Sequence, residues 1–437
     1  MNRNPEASPT LLVLYPYLEG FPAQEIAAAA AGRPLRLLLA DEHPAAQQDQ
    51  AFDELLELPA PERVAESLEV LRRRFDRRAP AGIFLQSEVG LATGALLARE
   101  LGLSAPPPEA VHACVNKYLS RRLLSEAGVP VPPFALVQDA AQVRRFAREH
   151  GYPLVLKAVA SSMSRLVSLV AAEQEVEEAV AGLQRRLPGS ADLQRLAGFA
   201  RAAGLETGCD PFRQFLVEGF AEGQPVECDG LLIGTRACSF GVLEQVLSRD
   251  PPFFFEGYLL PAESAPAAVE LMRGVAEAAV RAVSLVDAGF AVEMRAGKDG
   301  VQVIEVNGRL GLDDGFAEMF QLYSGVQPML AAARLALGDR RVPALRRSGC
   351  LGLAYRNCYK EARVVRLPSY AELSCASSQG FLIGLAAVES KLYHAPPHPE
   401  AYPHLAWALG SHAKSSRKAY AAAHAALSRL PIELAEL

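Results

Sequence analysis

The sequence predicts an α/β (α+β) protein built from several domains. Its 437 residues exceed the length of one ordinary domain and predict two to four modules. In the first hundred residues, short apolar runs typical of buried strands alternate with helical segments, which indicates a doubly wound parallel sheet. Because half of the residues are hydrophobic, a large core can form and the chain is not expected to be disordered.

Composition and charge argue against several classes of protein. The net charge is -6 and no long run of Lys or Arg occurs, so a nucleic-acid partner is not expected. No stretch reaches the roughly 20 apolar residues of a membrane span, and the first residues lack the apolar run of a signal peptide. The seven cysteines are scattered without a CxxC pair, which predicts reduced thiols in a cytoplasm and neither disulfides nor a zinc site.

The elements of the first module follow from its apolar periodicity. Strands are predicted at 11–15, 35–40, 52–58 and 81–85, and helices at 23–31, 62–75 and 88–101. The module contains no GxGxxG, so no dinucleotide site is predicted. The proline-rich segment 103–108 predicts a linker to the next module.

The rest of the chain mixes helices and strands. Helices are predicted at 115–128, 140–150, 173–187 and 265–286, the last with Ser264 as its N-cap and Pro266 in its first turn. Strands are predicted at 153–157 and 215–218, followed by β structure over 225–240. The glycine-containing stretch 188–211 predicts a loop. From about residue 349, strands at 351–355 and 381–388 and a final Ala-rich helix are expected.

A hairpin near residue 300 is the most informative stretch. Side chains alternate faces along a strand, so Glu305, Asn307 and Arg309 are expected on one face. If the turn is centred on Asp299, Glu293 of the first strand lies directly opposite Glu305.

This arrangement has two interpretations. Two carboxylates about 5 Å apart on an apolar sheet repel each other. A divalent cation that prefers oxygen ligands, such as Mg²⁺, would remove the repulsion and would usually also bind substrate phosphates. The alternative is an exposed strand face on which Arg295 and Arg309 pair with the two carboxylates.

A second stretch has the composition of a phosphate site. Lys157 closes the apolar strand 153–157, and the loop 158–165 that follows is made largely of small residues. Its backbone N–H groups and the hydroxyls of Ser162 and Ser164 suit phosphate oxygens. The alternatives are a lysine that extends from a strand end to solvent and an ordinary Ser-rich turn.

Two more segments are weak signals by themselves. Lys117 lies near the start of a helix with Arg121 one turn later, and by itself it could be a plain surface residue. The run 215–220 is apolar except for Glu218, and it could hold an adenine or be a buried strand only. The phenylalanines at 253–255 suit a substrate pocket or simple packing in the core or a lid.

Taken in order, four segments resemble the ATP-grasp superfamily. They are VNKYLSRRLLSEAGVPVP, GYPLVLKAVASSMSRLV, FLVEGFAEGQPVECDG and GFAVEMRAGKDGVQVIEVNGRLG. The resemblance covers about 111–338 and is greatest to the carboxylate–amine ligase branch, which includes D-alanine–D-alanine ligase and bacterial dipeptide ligases. It implies an N-terminal α/β lead-in domain (1–112), an ATP-grasp domain (113–345) with a mobile lid (about 130–219), and a small C-terminal domain (346–437).

The resemblance also implies a role for each matching residue. The residues that match nucleotide contacts are Lys117, Lys157, Ser162, Ser164, Glu218, Phe220 and Glu227. The residues that match metal ligands are Glu293, Glu305 and Asn307. Arg309 matches the arginine that steadies the transferred phosphoryl group or the acyl phosphate. ATP and two Mg²⁺ ions, with Mn²⁺ as an alternative, are the implied cofactors.

The sequence departs from its relatives at three places. Serines and Met163 stand where relatives have more glycine in the phosphate loop. Pro225 stands where relatives often have a ribose-binding Glu, so the ribose is assigned to Glu227, two residues later. Asp313 and Asp314 stand in a run that is glycine-rich in relatives, and they either meet a substrate ammonium group or cap the next helix.

The resemblance implies an ATP-dependent ligase that releases ADP and phosphate. A carboxylate is activated as an acyl phosphate and passed to an amine, which forms an amide or peptide bond between small-molecule substrates, expected to be amino acids in a biosynthetic pathway. A cytoplasmic enzyme without membrane or nucleic-acid partners is expected, and a homodimer is implied by the resemblance alone. The alternatives are a carboxylating enzyme that uses carboxyphosphate and a degenerate, non-catalytic nucleotide-binding protein.

Overall fold

The computed structural model describes residues 8–16, 22–28, 35–44, 52–162, 164–311, 313–378, 380–394 and 403–437. The strands of these residues form four sheets. None of the helices in this part of the chain combines the length and apolar character needed to cross a membrane. All seven cysteines lie within the described residues, where all are free thiols.

The first sheet is the predicted parallel one. Its elements are β1 (Thr10–Leu14), α1 (Ala23–Ala28), β2 (Arg36–Asp41), β3 (Glu54–Glu57), α2 (Val64–Arg74), β4 (Gly82–Phe84) and α3 (Glu88–Leu101). The strand order is β3-β2-β1-β4 with every pair parallel. Its central strands are nearly continuous hydrophobic runs because both faces of a parallel sheet are covered. The predicted end of the first helix, at 29–31, lies outside the described residues.

Two helices connect this sheet to the next module. They are α4 (Pro108–Val115) and α5 (Lys117–Glu126). The predicted linker is therefore one residue shorter, since proline is tolerated at the first position of a helix. The predicted helix 115–128 is divided at Asn116, whose side chain accepts a hydrogen bond from the Leu119 amide (3.1 Å) and caps α5. This cap makes Lys117 the first residue of α5.

The second sheet is antiparallel and lies within the predicted lid. Its elements are β5 (Phe134–Val137), α6 (Ala140–His150), β6 (Leu154–Ala158), β7 (Val167–Val170), α7 (Val176–Arg186), α8 (Ala191–Ala203) and β8 (Phe215–Gly219). The strand order is β5-β8-β6-β7. We call this sheet with its helices the lid sheet.

Helix α8 corrects the prediction of a loop over 188–211. The Ser190 side chain caps its first turn, and Gly204 ends it in the left-handed conformation. Leu193, Leu196 and Phe199 recur at helical spacing and are buried. The prediction was wrong because it weighted the glycines of the segment above this apolar periodicity.

Phe199 joins the lid sheet to the N-terminal module. Its side chain is fully buried in the same apolar cluster as Leu68 and Leu96 of helices α2 and α3. Replacing Phe199 by alanine is expected to lower the free energy of unfolding by about 3–5 kcal/mol, since a large buried ring leaves a cavity. Urea unfolding measures this loss, with the exposed Arg201→Ala on the same helix as control. Equal stability of the two variants would contradict the contact.

The third module begins with two long strands and contains the predicted hairpin. Its elements are β9 (Gln224–Ile233), β10 (Arg236–Leu247), β11 (Phe255–Leu260), α9 (Pro266–Ala282), β12 (Gly289–Gly297), β13 (Gly300–Asn307), α10 (Phe316–Ser324) and α11 (Pro328–Ala336). Pro266 opens α9 as predicted, but the N-cap is Ala265 and no side chain caps it. The prediction of Ser264 as N-cap was therefore wrong by one residue.

The C-terminal part shares a sheet with this module. Its elements are β14 (Cys350–Asn357), β15 (Ala362–Arg366), α12 (Tyr370–Ser377), β16 (Leu382–Leu385), β17 (Leu392–Tyr393), β18 (His404–His412), α13 (Ser416–Ser428) and β19 (Glu433–Glu436). The central sheet runs in the order β13-β12-β9-β10-β11-β14-β18-β16, and β17-β15-β19 form a small fourth sheet. The central sheet crosses the predicted boundary at 345, because β14, β18 and β16 continue it, and the bounds of the three domains stay predictions.

Apolar clusters cover both faces of the central sheet. Val226, Val292 and Val306 pack on the side of α9, whereas Leu243, Tyr258 and Leu260 pack on the side of α10 and α11. This second face also carries polar residues, among them Gln245, Glu293 and Glu305, at the edge of the apolar core. At these residues the central sheet faces the lid sheet across a cleft.

Candidate active site

The hairpin forms with a register that combines a tight turn and a β-bulge. Gly297 pairs with Gly300, which leaves a two-residue turn, and Met294 pairs with Val303. The register then shifts by one residue, and Glu293 pairs with Glu305. The predicted pairing of these carboxylates is confirmed, but the turn is not centred on Asp299. The extra residue Ile304 in β13 restores the alignment.

The cleft between the two sheets brings the predicted residues together. It encloses about 1100 Å³ including its open mouth. Ten of the eleven predicted site residues line it: Lys117, Lys157, Ser162, Ser164, Glu218, Phe220, Glu293, Glu305, Asn307 and Arg309. They come from both sheets and from α5, so four segments that are far apart in sequence meet in one place.

Lys117 bridges the lid side and the hairpin. Its Nζ donates hydrogen bonds to Glu305 Oε1 (2.6 Å) and to the Ser161 carbonyl (3.0 Å). Burial acts to lower the pKa of Lys117, but Glu305 outweighs it and the net direction is upward. Burial likewise acts to raise the pKa of Glu305, and Lys117 turns the net direction downward. Both groups are therefore charged at neutral pH.

The pKa of Glu293 shifts in the opposite direction from that of Glu305. Burial, then the neighbouring Glu305 and Glu227, raise the pKa of Glu293 to about 8. The repulsion anticipated from the sequence is thus present between the two opposed carboxylates.

The residues at this point fit a magnesium ion by their chemistry. Glu293, Glu305 and Asn307 offer hard oxygen ligands, and an ion between the two carboxylates would relieve their repulsion. The described part of the chain contains no cluster of three or more His, Cys, Asp or Glu residues that could hold a metal ion. The predicted set has two carboxylates and one amide, so its remaining ligands would have to come from substrate phosphates or water.

Lys157 and Arg121 share one carboxylate. Lys157 Nζ lies 2.7 Å from Glu218 Oε2, and Arg121 Nε lies 2.7 Å from Glu218 Oε1. All three side chains are buried. Burial lowers the pKa of Lys157 to about 8, although Glu218 opposes this shift. The alternative that Lys157 only extends from a strand end to solvent is therefore wrong.

The loop 158–165, which is predicted to bind phosphate, is joined to helix α8 by hydrogen bonds. Asp192 accepts hydrogen bonds from the Ser162 amide (3.3 Å) and from Arg165 (2.9 Å). The Ser164 hydroxyl donates to the Phe253 carbonyl (3.1 Å) at the mouth of the cleft. Ser164 also has a positive φ of 55°, which is uncommon for a residue with a side chain. Met163, named in the prediction for this loop, lies outside the described residues.

Glu227 is the one predicted residue that does not line the cleft. It is 5% exposed, faces Glu293 across the β9–β12 pair, and accepts a hydrogen bond from Gln245 Nε2 (2.8 Å). Burial, then the neighbouring Asp229, raise its pKa well above the usual range. Glu227 therefore lies outside the lining of the cleft, and its assignment to the ribose stays a prediction. Arg295, which pairs with Pro225 in the β9–β12 register, does line the cleft.

The two aspartates after Arg309 do not cap a helix. Helix α10 has Gly315 as its N-cap without a side-chain cap. Instead, Asp313 accepts a hydrogen bond from the Tyr258 hydroxyl, and Asp314 lies 3.5 Å from His404 Nδ1. The capping interpretation was wrong, and an ammonium contact stays a prediction.

The phenylalanine run divides between two roles. Phe253 and Phe255 line the cleft, whereas Phe254 packs against Tyr359 with ring centroids 5.7 Å apart. The packing interpretation therefore holds for Phe254, whereas Phe253 and Phe255 lie in the lining of the cleft.

Several residues at the site were not predicted from the sequence. Glu88 lines the cleft and lies 3.8 Å from Arg309 Nη2, and burial raises its pKa. A signal was present, because Glu88 opens a helix just after a parallel strand, where α/β sheets often bind ligands. Asp192 gave no local signal, and Arg121 gave only its position one turn after Lys117, since contacts distant in sequence reveal what these side chains do.

The chain is similar in sequence to known proteins. Residues 150–315 match the ATP-grasp domain family. The chain is 29% identical over 260 residues to an uncharacterized protein of Sinorhizobium fredii, which covers 60% of this chain and 49% of that protein. It is also 29% identical over 275 residues to carnosine synthase 1 of Homo sapiens, which covers 60% of this chain and 31% of that protein. The chain thus spans half or less of the length of these relatives.

Solved structures resemble nearly the whole chain. An L-amino acid ligase from Bacillus licheniformis superimposes with a TM-score of 0.77 at 19% identity, over 98% of both chains. The biotin carboxylase domain of a 2-oxoglutarate carboxylase from Hydrogenobacter thermophilus, solved with MgADP, ADP and bicarbonate, gives 0.66 at 17% identity. It covers 97% of this chain and 90% of that one. Identities this low establish the fold alone. The chain as a whole therefore has the fold of these solved structures, and its residues 150–315 match the ATP-grasp domain family.

Proposed function

We propose that this protein is an ATP-dependent carboxylate–amine ligase that joins two amino acids through an acyl phosphate. The observation that carries the proposal is the meeting of Glu293, Glu305 and Lys117 in one cleft with Lys157 and Arg309. Such a set suits the polyphosphate of a nucleotide. The likeness to an L-amino acid ligase and to carnosine synthase supports an amine as acceptor.

The electrostatics of the cleft suit the first step. A carboxylate that attacks the γ-phosphorus of ATP brings two anions together, so the transition state needs positive charge already in place. Lys117, Lys157 and Arg309 supply it. Glu293, Glu305 and Asn307 would hold Mg²⁺, two ions in our proposal with Mn²⁺ as a substitute, which neutralises phosphate charge. No nucleophile from the protein is required.

The remaining steps follow from the acyl phosphate. ADP leaves when the substrate carboxylate oxygen bonds to the γ-phosphorus. The amine nitrogen then bonds to the acyl carbon, the bond from that carbon to the phosphate oxygen breaks, and phosphate departs. Asp313, which follows Arg309 in the chain and accepts a hydrogen bond from the Tyr258 hydroxyl, is our candidate for contact with the ammonium group of a substrate.

The acyl phosphate must be shielded from water. The Ser164–Phe253 hydrogen bond joins the lid sheet to the β10–β11 loop at the cleft mouth. Replacing Phe253 by alanine is expected to lower the amount of amide formed per phosphate released, because water then hydrolyses the acyl phosphate. Mass spectrometry and phosphate release measure this ratio together. Phe254→Ala, outside the cleft, is the control, and an unchanged ratio in Phe253→Ala would refute the shielding.

The pH dependence of nucleotide binding tests Lys157. Its pKa in the free protein is about 8, lowered by burial, and a bound phosphate should raise it. A group whose pKa rises on binding favours binding only while it is protonated. The affinity for ADP is therefore expected to be constant below pH 8 and to fall above it, by at most about tenfold per pH unit. Lys157→Arg should flatten the profile because arginine stays charged, and a flat wild-type profile to pH 9.5 would exclude the role.

The experiment that tests the proposal is a screen of amino-acid pairs. Phosphate release is measured with ATP and Mg²⁺, and products are identified by mass spectrometry. An amide product that depends on both amino acids is expected. Product formation only with bicarbonate would instead identify a carboxylating enzyme, a second candidate that the likeness to a biotin carboxylase domain favours. Nucleotide binding without phosphate release from any pair would favour a degenerate protein. A homodimer and a cytoplasmic location stay predictions from the sequence.

A further inference from the structure

We propose that Arg121 is a positioning residue that holds the β-bulge at Ile304 and thereby keeps Glu305 on the cleft face of the hairpin. The proposal rests on the function above for the roles of Glu305 and Lys157. Its structural part, the control of strand register by one buried arginine, does not depend on any activity.

The bulge determines which face carries Glu305. On the turn side, Met294 pairs with Val303, and if Ile304 paired as a regular residue of the strand, the same register would place Glu305 opposite Val292. Residues that pair directly lie on the same face of a sheet, and a slip of one residue moves side chains to the other face. Val292 belongs to the apolar cluster beneath α9. With Ile304 paired regularly in the ladder, Glu305 would therefore point into that core.

A bulge leaves backbone groups outside the regular ladder, and they need other partners. Backbone groups on both sides of the bulge at Ile304 have such a partner. The Ile304 carbonyl accepts a hydrogen bond from Arg121 Nη2, and the Val303 amide donates to the Pro130 carbonyl (2.8 Å). The bulge is therefore stabilised by one side chain and by one segment of backbone.

Arg121 also connects the bulge to the lid sheet. Its side chain is 1% exposed, and its Nε lies 2.7 Å from Glu218 Oε1, while Glu218 Oε2 lies 2.7 Å from Lys157 Nζ. Nη2 of the guanidinium donates hydrogen bonds to the Ile304 carbonyl and to Glu218 Oε2 (3.4 Å), while Nε forms the ion-pair contact with Glu218 Oε1. Lysine has a single nitrogen and cannot place separate nitrogens against both Glu218 oxygens while it also binds the Ile304 carbonyl. Arg121 therefore orients Glu305 and Lys157 together without lining the cleft itself.

The test compares Arg121→Lys with Arg122→Lys. Arg122 is the next residue of the same helix, is exposed, and pairs only with Glu126 (3.4 Å). Two readouts are hydrogen exchange of the amides of residues 300–307 and equilibrium binding of ADP in the presence of Mg²⁺. In Arg121→Lys, exchange in the hairpin is expected to rise at least about tenfold and ADP affinity to fall at least about tenfold. Arg122→Lys should match the wild type in both.

A second variant separates positioning from simple loss of charge. Deleting Ile304 removes the bulge but leaves Glu305 opposite Glu293, because the turn-side register then continues unbroken. In an Arg121→Met protein, this deletion is expected to restore ADP affinity to within about threefold of the wild type. Failure of the deletion to restore it, or wild-type exchange and affinity in Arg121→Lys, would overturn the proposal. If no amino-acid pair supports phosphate release in the wild type, the proposed reaction fails, while exchange in the hairpin still tests Arg121.

Discussion

Replacing Glu305 by alanine or by glutamine is expected to reduce ATP-dependent phosphate release by a factor on the order of 10²–10³ or more. Both changes remove a carboxylate from the position opposite Glu293 and thus one of the proposed metal ligands. Glutamine retains an oxygen that can accept the Lys117 hydrogen bond, whereas alanine does not. If Glu305 acted only as the partner of Lys117, glutamine would restore most of the activity.

Stability must be measured beside activity for these variants. Glu305 is the charged partner of buried Lys117 at 2.6 Å, and removal of one member of a buried pair is destabilising by about 3–5 kcal/mol. The Glu305 side chain is 24% exposed, so water screens part of this loss. We expect a folded protein by circular dichroism at the assay temperature. Glu57→Gln, on an exposed strand position of the first sheet, is the control. Full turnover in a folded Glu305→Ala would exclude the metal assignment.

Replacing Arg309 is expected to have the second largest effect, mainly on kcat. Arg309 lines the cleft beside Asn307 and lies 3.8 Å from Glu88. If it acts on the transferred phosphoryl group, its charge matters more in the transition state than in the bound state. Arg309→Met is therefore expected to lower kcat by a factor on the order of 10²–10³, with a smaller change in KM for ATP.

Replacing Arg309 by lysine distinguishes the contribution of its charge from that of its planar side-chain geometry. Arg309→Lys retains the charge but loses the planar fork that binds two phosphate oxygens at once, so we expect most of the loss to remain. Arg341→Met, at an exposed arginine, should behave as the wild type. A rise in KM with an unchanged kcat would instead show that Arg309 contributes to binding of ATP in the ground state.

Much of the fold could be predicted from local patterns. The strands around residues 11–14 and 36–40 are apolar runs, and helices α3 and α6 have the bounds that their periodicity predicted. The one large error, the loop predicted over α8, arose from glycines outside the helix and from Gly198 within it. A Cβ added at Gly198 would lie only 3.1 Å from the Glu62 carbonyl oxygen of the N-terminal module, a close approach that no local pattern reveals.

The candidate site was less predictable than the fold. Its carboxylates, lysines and Arg309 were predicted because each lies within or beside a recognisable segment, and the ATP-grasp resemblance linked the segments in order. Glu88, Asp192 and Arg121 were missed because each acts through a partner distant in sequence. Lys117 and Glu305 are 188 positions apart. The burial of Glu227 outside the cleft lining was not predicted, because alternation along a strand does not tell which neighbour covers a side chain.

By itself, the sequence determined the alternating α/β module, the hairpin and the set of charged residues that a nucleotide site requires. It could do so because periodicity and residue type are local properties of the chain. Only the tertiary structure decided that Ile304 is an inserted residue, that Glu305 consequently faces the cleft, and that Arg121 holds it there. The register of a strand depends on hydrogen bonds to groups elsewhere in the fold, and these exist only once the helix, the lid sheet and the hairpin have packed together.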